Sequence, residues 1–272
     1  MTIPVRHALR RACLVAALAS SVACAGNARL TVPPGTRQPD QFLFDKGADA
    51  LARHKWLTAR EYYKQVTETY TQSPLRPDAK LAIGDSYLGE GSTESLILGI
   101  AEFEEFLSFY PTHPKADYAQ FQLALCHFKQ MRSPQRDQTE TRDTIREFER
   151  FLARYPSSAL RPDAMRHLRE AKDRLGDSEM AVGIFYWRIH WYVGAIDRLS
   201  TLVKTDPEFT LRDSAYFYLG ESLMAAGRPA EALVVYEKLL SEFTQSTFLP
   251  QTQKRVAEVK ATMAAKGAPA SS

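Results

Sequence analysis

The chain contains little cysteine, and its few cysteines cannot build a disulfide framework. Of the three, Cys13 and Cys24 lie in the first 24 residues, and only Cys126 lies in the body, within a helical pattern. A single body cysteine excludes a set of intrachain disulfides and a cysteine-based metal site there. We expect Cys126 to be a small buried apolar residue.

The sequence also lacks the short motifs of common catalytic sites. It has no G-x-S-x-G, H-E-x-x-H, P-loop or G-x-G-x-x-G segment, and its six histidines are scattered. Cys126 and His127 are adjacent, but neighbouring helical residues point about 100° apart and do not form a nucleophile and base. We expect a protein that is not an enzyme, with no cofactor and no metal.

The body has no excess of either charge. The formal net charge of +3 comes from 35 basic and 32 acidic side chains. Arg6, Arg10 and Arg11 lie in the first 23 residues, which contain no acidic residue, and without them 32 basic side chains balance 32 acidic ones. Composition therefore gives no electrostatic reason to expect nucleic-acid binding.

No apolar run is long enough to span a bilayer, but the first residues form a targeting segment. The basic n-region precedes the apolar run Ala12–Ala19, which is far shorter than the roughly 20 residues that a transmembrane helix needs. A run of this kind, followed by small residues, indicates a secretory signal over residues 1–23.

The end of this signal resembles a bacterial lipobox, in which the cysteine is lipidated and becomes the mature N-terminus. Ser21–Cys24 reads Ser-Val-Ala-Cys, and Ser21 departs from the leucine that the pattern prefers. The alternative is ordinary signal-peptidase cleavage after Ala23 or Ala25. We expect lipidation of Cys24, and because Ala25 rather than aspartate follows, we expect sorting to the outer membrane. Residues 24–39, rich in Pro, Gly and small residues, read as a flexible tether.

The body repeats one pattern of apolar residues. A stripe at helical spacing consists of Ile100, Phe103, Leu107 and Tyr110. It recurs as Ile145-Phe148-Leu152-Tyr155, as Ile196-Leu199-Val203-Asp206 and as Leu233-Tyr236-Leu240-Phe243, with a weaker copy ending at Tyr63, Val66 and Tyr70. Each stripe belongs to one helix of a pair, and the unit occurs about five times.

Small residues mark where the two helices of a pair should cross closely, namely Gly84, Ala124 and Gly220. The last copy, Ala215–Phe243, looks like a tetratricopeptide repeat. We therefore predict an all-α fold of about five tetratricopeptide-like helix pairs, stacked into a right-handed superhelical solenoid with an extended concave surface. The alternative is an unrelated helical bundle.

The periodicity and the turn residues predict eleven helices. They cover Gln41–His54, Trp56–Thr71, Pro77–Gly89, Glu94–Tyr110, Lys115–Met131, Thr139–Tyr155, Pro162–Ile189, Trp191–Lys204, Leu211–Ala226, Pro229–Phe243 and Pro250–Ala265. Residues 266–272 should be a disordered tail.

Four segments are similar to the outer-membrane β-barrel assembly lipoprotein family, BamD or ComL. They are Tyr110–Phe121 (YPTHPKADYAQF), Arg136–Pro156, Leu160–Leu175 and Phe185–Leu199. The family usually has Arg-Gly at the turn in the last segment, where this chain has Ile189 and His190. The resemblance covers nearly all of the mature chain.

The resemblance implies a non-enzymatic subunit of the barrel-assembly machinery, on the periplasmic face of the outer membrane. It assigns client binding, the reception of unfolded outer-membrane proteins, to the N-terminal repeats at residues 40–131. It assigns docking to the C-terminal repeats at residues 132–265, where the periplasmic domains of the barrel insertase, BamA, and smaller assembly lipoproteins would bind.

A groove that holds an extended client needs exposed aromatic and polar side chains. The candidates on the first helices of the N-terminal pairs are Gln41, Asp45, Lys80, Tyr87, Tyr118 and Gln122. We expect Tyr87 to be the best of them, with its phenol at the lip of the groove. The alternative for each of them is a solvated or packing residue.

For docking, Arg198 is the first candidate, because it lies beside the apolar stripe and matches the family's motif arginine. Arginine is enriched at interfaces, where its planar fork pairs with carboxylates. Trp191, Tyr192 and Asp197 would complete the patch, and Trp187, four residues before Trp191, would share its face. The alternative for Arg198 is a solvated helix charge.

Two other functions remain open. One is a periplasmic tetratricopeptide lipoprotein that organises cell-wall or envelope complexes. The other is an envelope enzyme or a peptidoglycan-binding module, against which the missing catalytic clusters argue.

Overall fold

The computed structural model describes residues 30–267, and this part of the chain folds into eleven helices without a strand. They are α1 (Pro39–Ala52), α2 (Trp56–Thr69), α3 (Arg76–Glu90), α4 (Thr93–Phe109), α5 (Ala116–Gln130), α6 (Thr139–Arg154), α7 (Arg161–Arg188), α8 (Tyr192–Thr205), α9 (Arg212–Ala225), α10 (Pro229–Glu242) and α11 (Leu249–Gly267). Each helix packs mainly on the helices before and after it. The predicted all-α solenoid of helix pairs is confirmed.

Several expectations concern residues outside this range. The signal at 1–23, the lipidation site Cys24 and residues 268–272 of the tail lie beyond the described residues. Within the predicted tether, Val32 packs against the first hydrophobic cluster, which contains Leu43 and Tyr63. No helix in the described range is long and apolar enough to cross a membrane.

The helices of a pair approach each other at glycines. A Cβ on Gly47 would lie 2.7 Å from the ring of Tyr63, and one on Gly84 would lie 2.7 Å from the ring of Phe103. Gly220 and Tyr236 have the same relationship in the last pair. The aromatic ring of the second helix therefore occupies the space that a side chain on the first would fill.

A repeated hydrogen bond between a serine and an aspartate joins consecutive helix pairs. Ser73 donates a hydrogen bond of 2.6 Å from Oγ to Asp40, at the start of the preceding first helix, and accepts one from the backbone N–H of Leu75. The hydrogen bond from Ser73 lowers the pKa of Asp40. The same contact recurs at 2.6 Å between Ser158 and Asp117 and between Ser246 and Asp213.

Helix α7 departs from the repeat because it is twice as long as most first helices, with 28 residues. Its N-terminal part packs on α6, where Ala164 lies in a cluster with Phe148 and Phe151. Its C-terminal part packs on α8, where a Cβ on Gly183 would lie 2.7 Å from Leu199. Between α6 and α8 lies a cleft of about 420 Å³.

Two turns within pairs contain a histidine in the left-handed region. His54 has φ 56° and His190 has φ 63°, whereas Gly91 and Gly227 occupy the corresponding region in two other pairs. The following backbone N–H closes each helix end, since Trp191 donates to Tyr186 at 2.9 Å. This is the helix-ending motif that normally uses glycine.

Candidate functional site

The first helices of the N-terminal pairs enclose a groove of about 300 Å³, here called the N-terminal groove. It is lined by Phe44, Asp78, Leu81, Ala82, Asp85, Lys115 and Tyr118, from α1, α3, the turn before α5 and α5 itself. The groove thus combines an apolar floor with polar groups, and Lys115 lies 2.9 Å from Asp78. Such a combination suits a polypeptide segment that buries a side chain and needs hydrogen bonds.

A polar network stands at one end of this groove. The Tyr118 hydroxyl donates to Oδ1 of Asp85 at 2.9 Å. The Gln122 amide donates to the same oxygen at 3.2 Å and to the Tyr118 hydroxyl at 2.9 Å. Burial raises the pKa of Asp85, and the hydrogen bonds from Gln122 and Tyr118 oppose that rise. Asp85 is therefore an acceptor held in place by two side chains of the next pair.

Two of the predicted client-binding residues, Gln41 and Asp45, lie on α1. The Gln41 amide donates to Asp45 at 2.8 Å, and Phe44 between them lines the groove. Burial raises the pKa of Tyr63 to about 12, and the charges of Asp85 and Asp45 add to the rise. Both carboxylates thus lie near the same phenol, and the structure brings Gln41, Asp45, Tyr118 and Gln122 to one side of the N-terminal half.

The expectation that Tyr87 stands at the groove lip is wrong. Its side chain is only 8% exposed, and the guanidinium of Arg60 lies 4.3 Å from the centre of its ring. Arg60 belongs to α2, so Tyr87 packs towards the second helix of the preceding pair.

The placement of Lys80 in the groove is also wrong, because its side chain faces the second helix of its own pair. Its ammonium lies 2.7 Å from Glu105 and 3.3 Å from Glu102, both on α4. Lys80 and Tyr87 are seven residues apart and so share one face of α3, whereas Leu81 and Asp85 lie on the face that lines the groove.

Sequence reasoning missed Asp85 and Phe44. Asp85 directly follows Gly84, at which the helices cross. Its place on a first helix, one residue after a crossing glycine, was the signal that the sequence offered.

Arg198 and Asp197 line the cleft between α6 and α8, here called the α6–α8 cleft. Its apolar lining includes Ile145 from α6, Leu175 from α7 and Leu202 from α8. The Arg198 guanidinium donates to Glu179 at 2.8 Å, and this pair is partly exposed. Arg198 is thus an accessible guanidinium beside an apolar opening, as its position next to the stripe predicts.

Tyr192 does not join that patch. Tyr192 lines a different pocket, of about 480 Å³, with Trp187, His190 and Arg255. The Trp191 side chain is 52% exposed, and its ring lies 4.4 Å from that of Tyr186. The prediction that Tyr192 shares a surface with Arg198 is wrong, because the two residues lie six positions apart on α8 and point about 120° apart. The placement of Trp191 beside Arg198 stays a prediction, since its neighbour Tyr186 also acts on the Arg198 guanidinium.

The expected shared face of Trp187 and Trp191 is wrong as well. Helix α7 ends at Arg188, so the four-residue spacing does not fall within one helix. The ring of Trp187 packs 5.6 Å from that of Tyr218 on α9.

Within residues 30–267, one group of side chains has the composition of a metal site. His127, Glu140 and Asp143 have potential ligand atoms within 4.8 Å of one another. They already have partners, since His127 lies 2.8 Å from Glu140 and Asp143 is paired with Arg146. The contact between His127 and Glu140 ties the end of α5 to the start of α6.

Comparisons with known proteins identify relatives over most of the chain. The model of a family described as outer membrane lipoprotein, YfiO, matches residues 36–232. The chain is 30% identical over 217 residues to outer membrane protein assembly factor BamD of Caulobacter vibrioides, covering 79% of this chain and 70% of that protein. It is 29% identical over 180 residues to the BamD of Vibrio cholerae, covering 62% and 73%.

Solved structures with a similar arrangement are tetratricopeptide proteins. The TPR2AB domain of yeast Sti1 has a TM-score of 0.43 and 12% identity, covering 82% of this chain and 84% of that one. The TPR domain of P58(IPK) has a TM-score of 0.41 and 12% identity, covering 82% and 56%.

Proposed function

Because the chain belongs to the YfiO family of outer membrane lipoproteins, we propose that it is a non-enzymatic subunit of the machinery that assembles outer membrane proteins. The single observation that carries this proposal is the family match over residues 36–232, which includes both the N-terminal groove and the α6–α8 cleft. The names of the BamD relatives supply the process.

The protein would work at the periplasmic face of the outer membrane. Its attachment is a lipid anchor on Cys24, for which the Ser-Val-Ala-Cys segment is the support. Three acyl chains hold a protein stably, since each buried CH₂ contributes about 0.8 kcal/mol. The first helix, α1, begins at Pro39, fifteen residues after Cys24.

The N-terminal groove receives unfolded outer membrane proteins. An unfolded strand presents backbone N–H groups and alternating side chains. The carboxylate of Asp85, held by Tyr118 and Gln122, can accept from such an N–H, while Phe44 and Leu81 bury an apolar side chain. Gln41 and Asp45 extend the polar lining along α1.

The α6–α8 cleft docks the periplasmic domains of the barrel insertase. Arg198 already pairs with Glu179, so a partner carboxylate would share the guanidinium rather than find it unpaired. Asp197 offers an acceptor beside it, and the apolar lining near Leu202 takes an anchor side chain. Smaller assembly lipoproteins are further partners of the C-terminal half.

Purification from solubilised membranes tests the proposal. The wild-type protein should copurify with a barrel insertase, and Arg198→Glu should weaken that recovery while helical circular dichroism stays unchanged. The matched control is the double variant Glu179→Arg/Arg198→Glu. It restores an ion pair between positions 179 and 198 but leaves a carboxylate, not a guanidinium, at position 198. Recovery of cell-wall synthases in place of an insertase would instead support an envelope scaffold.

A further inference from the structure

The turn between α7 and α8 exposes an unusual amount of apolar surface. Phe185, Ile189, Trp191 and Val193 are 55%, 53%, 52% and 73% exposed. These four lie within nine residues, and the rings of Tyr186 and Trp191 are 4.4 Å apart. We call residues 185–193 the aromatic tip. Contiguous exposed apolar side chains on a folded protein mark a surface that contacts something other than water.

The tip itself contains no acidic side chain. The sequence has no acidic residue between Glu179 and Asp197, whereas Arg188 and His190 are exposed within the tip. Trp191 and Tyr192 add amphipathic rings. Tryptophan, tyrosine and arginine with aliphatic side chains form the composition that prefers the interface between water and lipid.

The turn between α1 and α2 has the same character. Arg53, His54 and Lys55 are exposed in succession, and the Leu57 side chain is 65% exposed. Like the aromatic tip, this turn connects a first helix to a second, and each of the two turns contains a histidine with positive φ. Two turns at equivalent points of the repeat therefore combine exposed apolar side chains with positive charge.

We propose that the aromatic tip rests in the headgroup layer of a phospholipid membrane, as a second attachment beside the lipid anchor. The proposal rests on the membrane location proposed above. Ile189 and Val193 would enter the acyl boundary, Trp191 would lie at the level of the headgroups, and Arg188 would meet lipid phosphates. The lipid anchor holds the protein at the membrane but leaves the solenoid free to rotate on its tether, and the tip would fix its orientation.

Tryptophan fluorescence in proteoliposomes tests this contact on the complete lipidated protein. The chain has three tryptophans, so Trp56→Phe with Trp187→Phe leaves Trp191 as the only reporter. In vesicles of phosphatidylethanolamine and phosphatidylglycerol, brominated acyl chains should quench Trp191 and its emission should shift to shorter wavelength. The matched control replaces all three tryptophans by Phe and adds Val234→Trp, at a position on α10 that is 65% exposed. That reporter should stay unquenched.

A second pair of variants identifies the residues responsible. Ile189→Ser with Val193→Ser should abolish the quenching of Trp191, and both positions are so exposed that the fold should remain intact. Arg188→Glu should lower the quenching in anionic vesicles more than in vesicles of phosphatidylcholine alone.

Two results would overturn the proposal. One is a Trp191 that is quenched no more than the reporter at position 234. The other combines two observations: Trp191 of the parent protein is not quenched, and the Ile189→Ser/Val193→Ser variant no longer copurifies with the barrel insertase. Together they would make the tip a protein-docking surface. Either result leaves the proposed function standing, because Arg198→Glu tests that separately.

Discussion

Gly183 lies directly against Leu199, as Gly47 lies against Tyr63 and Gly220 against the ring of Tyr236. In each pair the second residue follows the glycine by sixteen positions. The fourth helix pair therefore consists of the C-terminal half of α7 together with α8. The N-terminal half of α7 packs on α6 as a first helix would, but no second helix follows it. The α6–α8 cleft lies where that helix is missing.

These glycine contacts predict the cost of adding one methyl group. Gly220→Ala should destabilise the protein by roughly 1–3 kcal/mol through overpacking, because the Tyr236 ring cannot withdraw while its hydroxyl is bound to Glu221. Gly183→Ala should cost less, since Leu199 has no such anchor. Chemical unfolding measures both. Ser178→Ala in α7 is the control and should stay within about 0.5 kcal/mol; a neutral Gly220→Ala would contradict the packing described.

The two left-handed histidines predict a gain in stability. His54→Gly and His190→Gly should each stabilise the fold by about 0.5–1 kcal/mol, because a side chain pays roughly 1–2 kcal/mol in this backbone region and glycine does not. Gly91→Ala, at φ 72°, should act in the opposite direction. Thermal unfolding of the three variants provides the measurement, and a lower melting temperature for both His→Gly variants would exclude strain at these turns.

His167 predicts a dependence of stability on pH. It lies among Phe121, Phe128 and Phe148, and its Nδ1 is buried without a hydrogen-bond partner. Burial lowers its pKa below 6.5, Arg166 lowers it further, and the charges of Glu170 and Asp163 oppose this.

The direction of this pH dependence follows from which state, folded or unfolded, binds the proton more readily. The unfolded state takes up the proton first as pH falls, so the contribution of His167 is complete above pH 6.5 and is lost between there and its lowered folded pKa. The free energy of unfolding, measured by urea titration from pH 7.5 to 5, should fall in this window. His167→Phe should flatten the decline. If the free energy of unfolding of the variant falls by the same amount, titratable groups other than His167 cause the decline.

The polar network predicts which tyrosine matters for client binding. Tyr118→Phe removes the hydroxyl that donates to Asp85, which leaves the buried carboxylate with one fewer partner and should cost about 1–3 kcal/mol of stability. It should also weaken binding of a peptide from the C-terminus of an outer membrane protein, measured by fluorescence anisotropy. Tyr87→Phe is the matched control, because Tyr87 lies outside the groove. Equal loss in both variants would argue against the groove.

The helix boundaries could be predicted from the sequence because the residues that begin and end a helix are close to it in the chain. Pro229 begins α10 as predicted, and α7 runs unbroken through Gly176 as the single long helix that periodicity indicated. Gly84 and Gly220 are recognisable as crossing points because each is a small residue directly after an apolar one, Ile83 or Leu219, on the first helix of a pair.

The candidate sites were less predictable because they depend on register between helices. Tyr118 and Gln122 were found, but Asp85, to which both donate, is more than thirty residues away in sequence. Tyr87 looked like a lip residue, although the neighbouring pair covers it with Arg60. Tyr192 and Arg198 are close in sequence, yet they line different pockets because six residues along α8 turn their side chains about 120° apart.

Site-specific photo-crosslinking in native membranes tests the central claim most directly. A photoreactive residue in place of Gln122 should capture newly exported outer membrane proteins, and one in place of Arg198 should capture a barrel insertase. Position 234, exposed on α10, serves as the negative control. Capture of neither class from positions 122 and 198, or recovery of cell-wall synthases from both, would contradict the account.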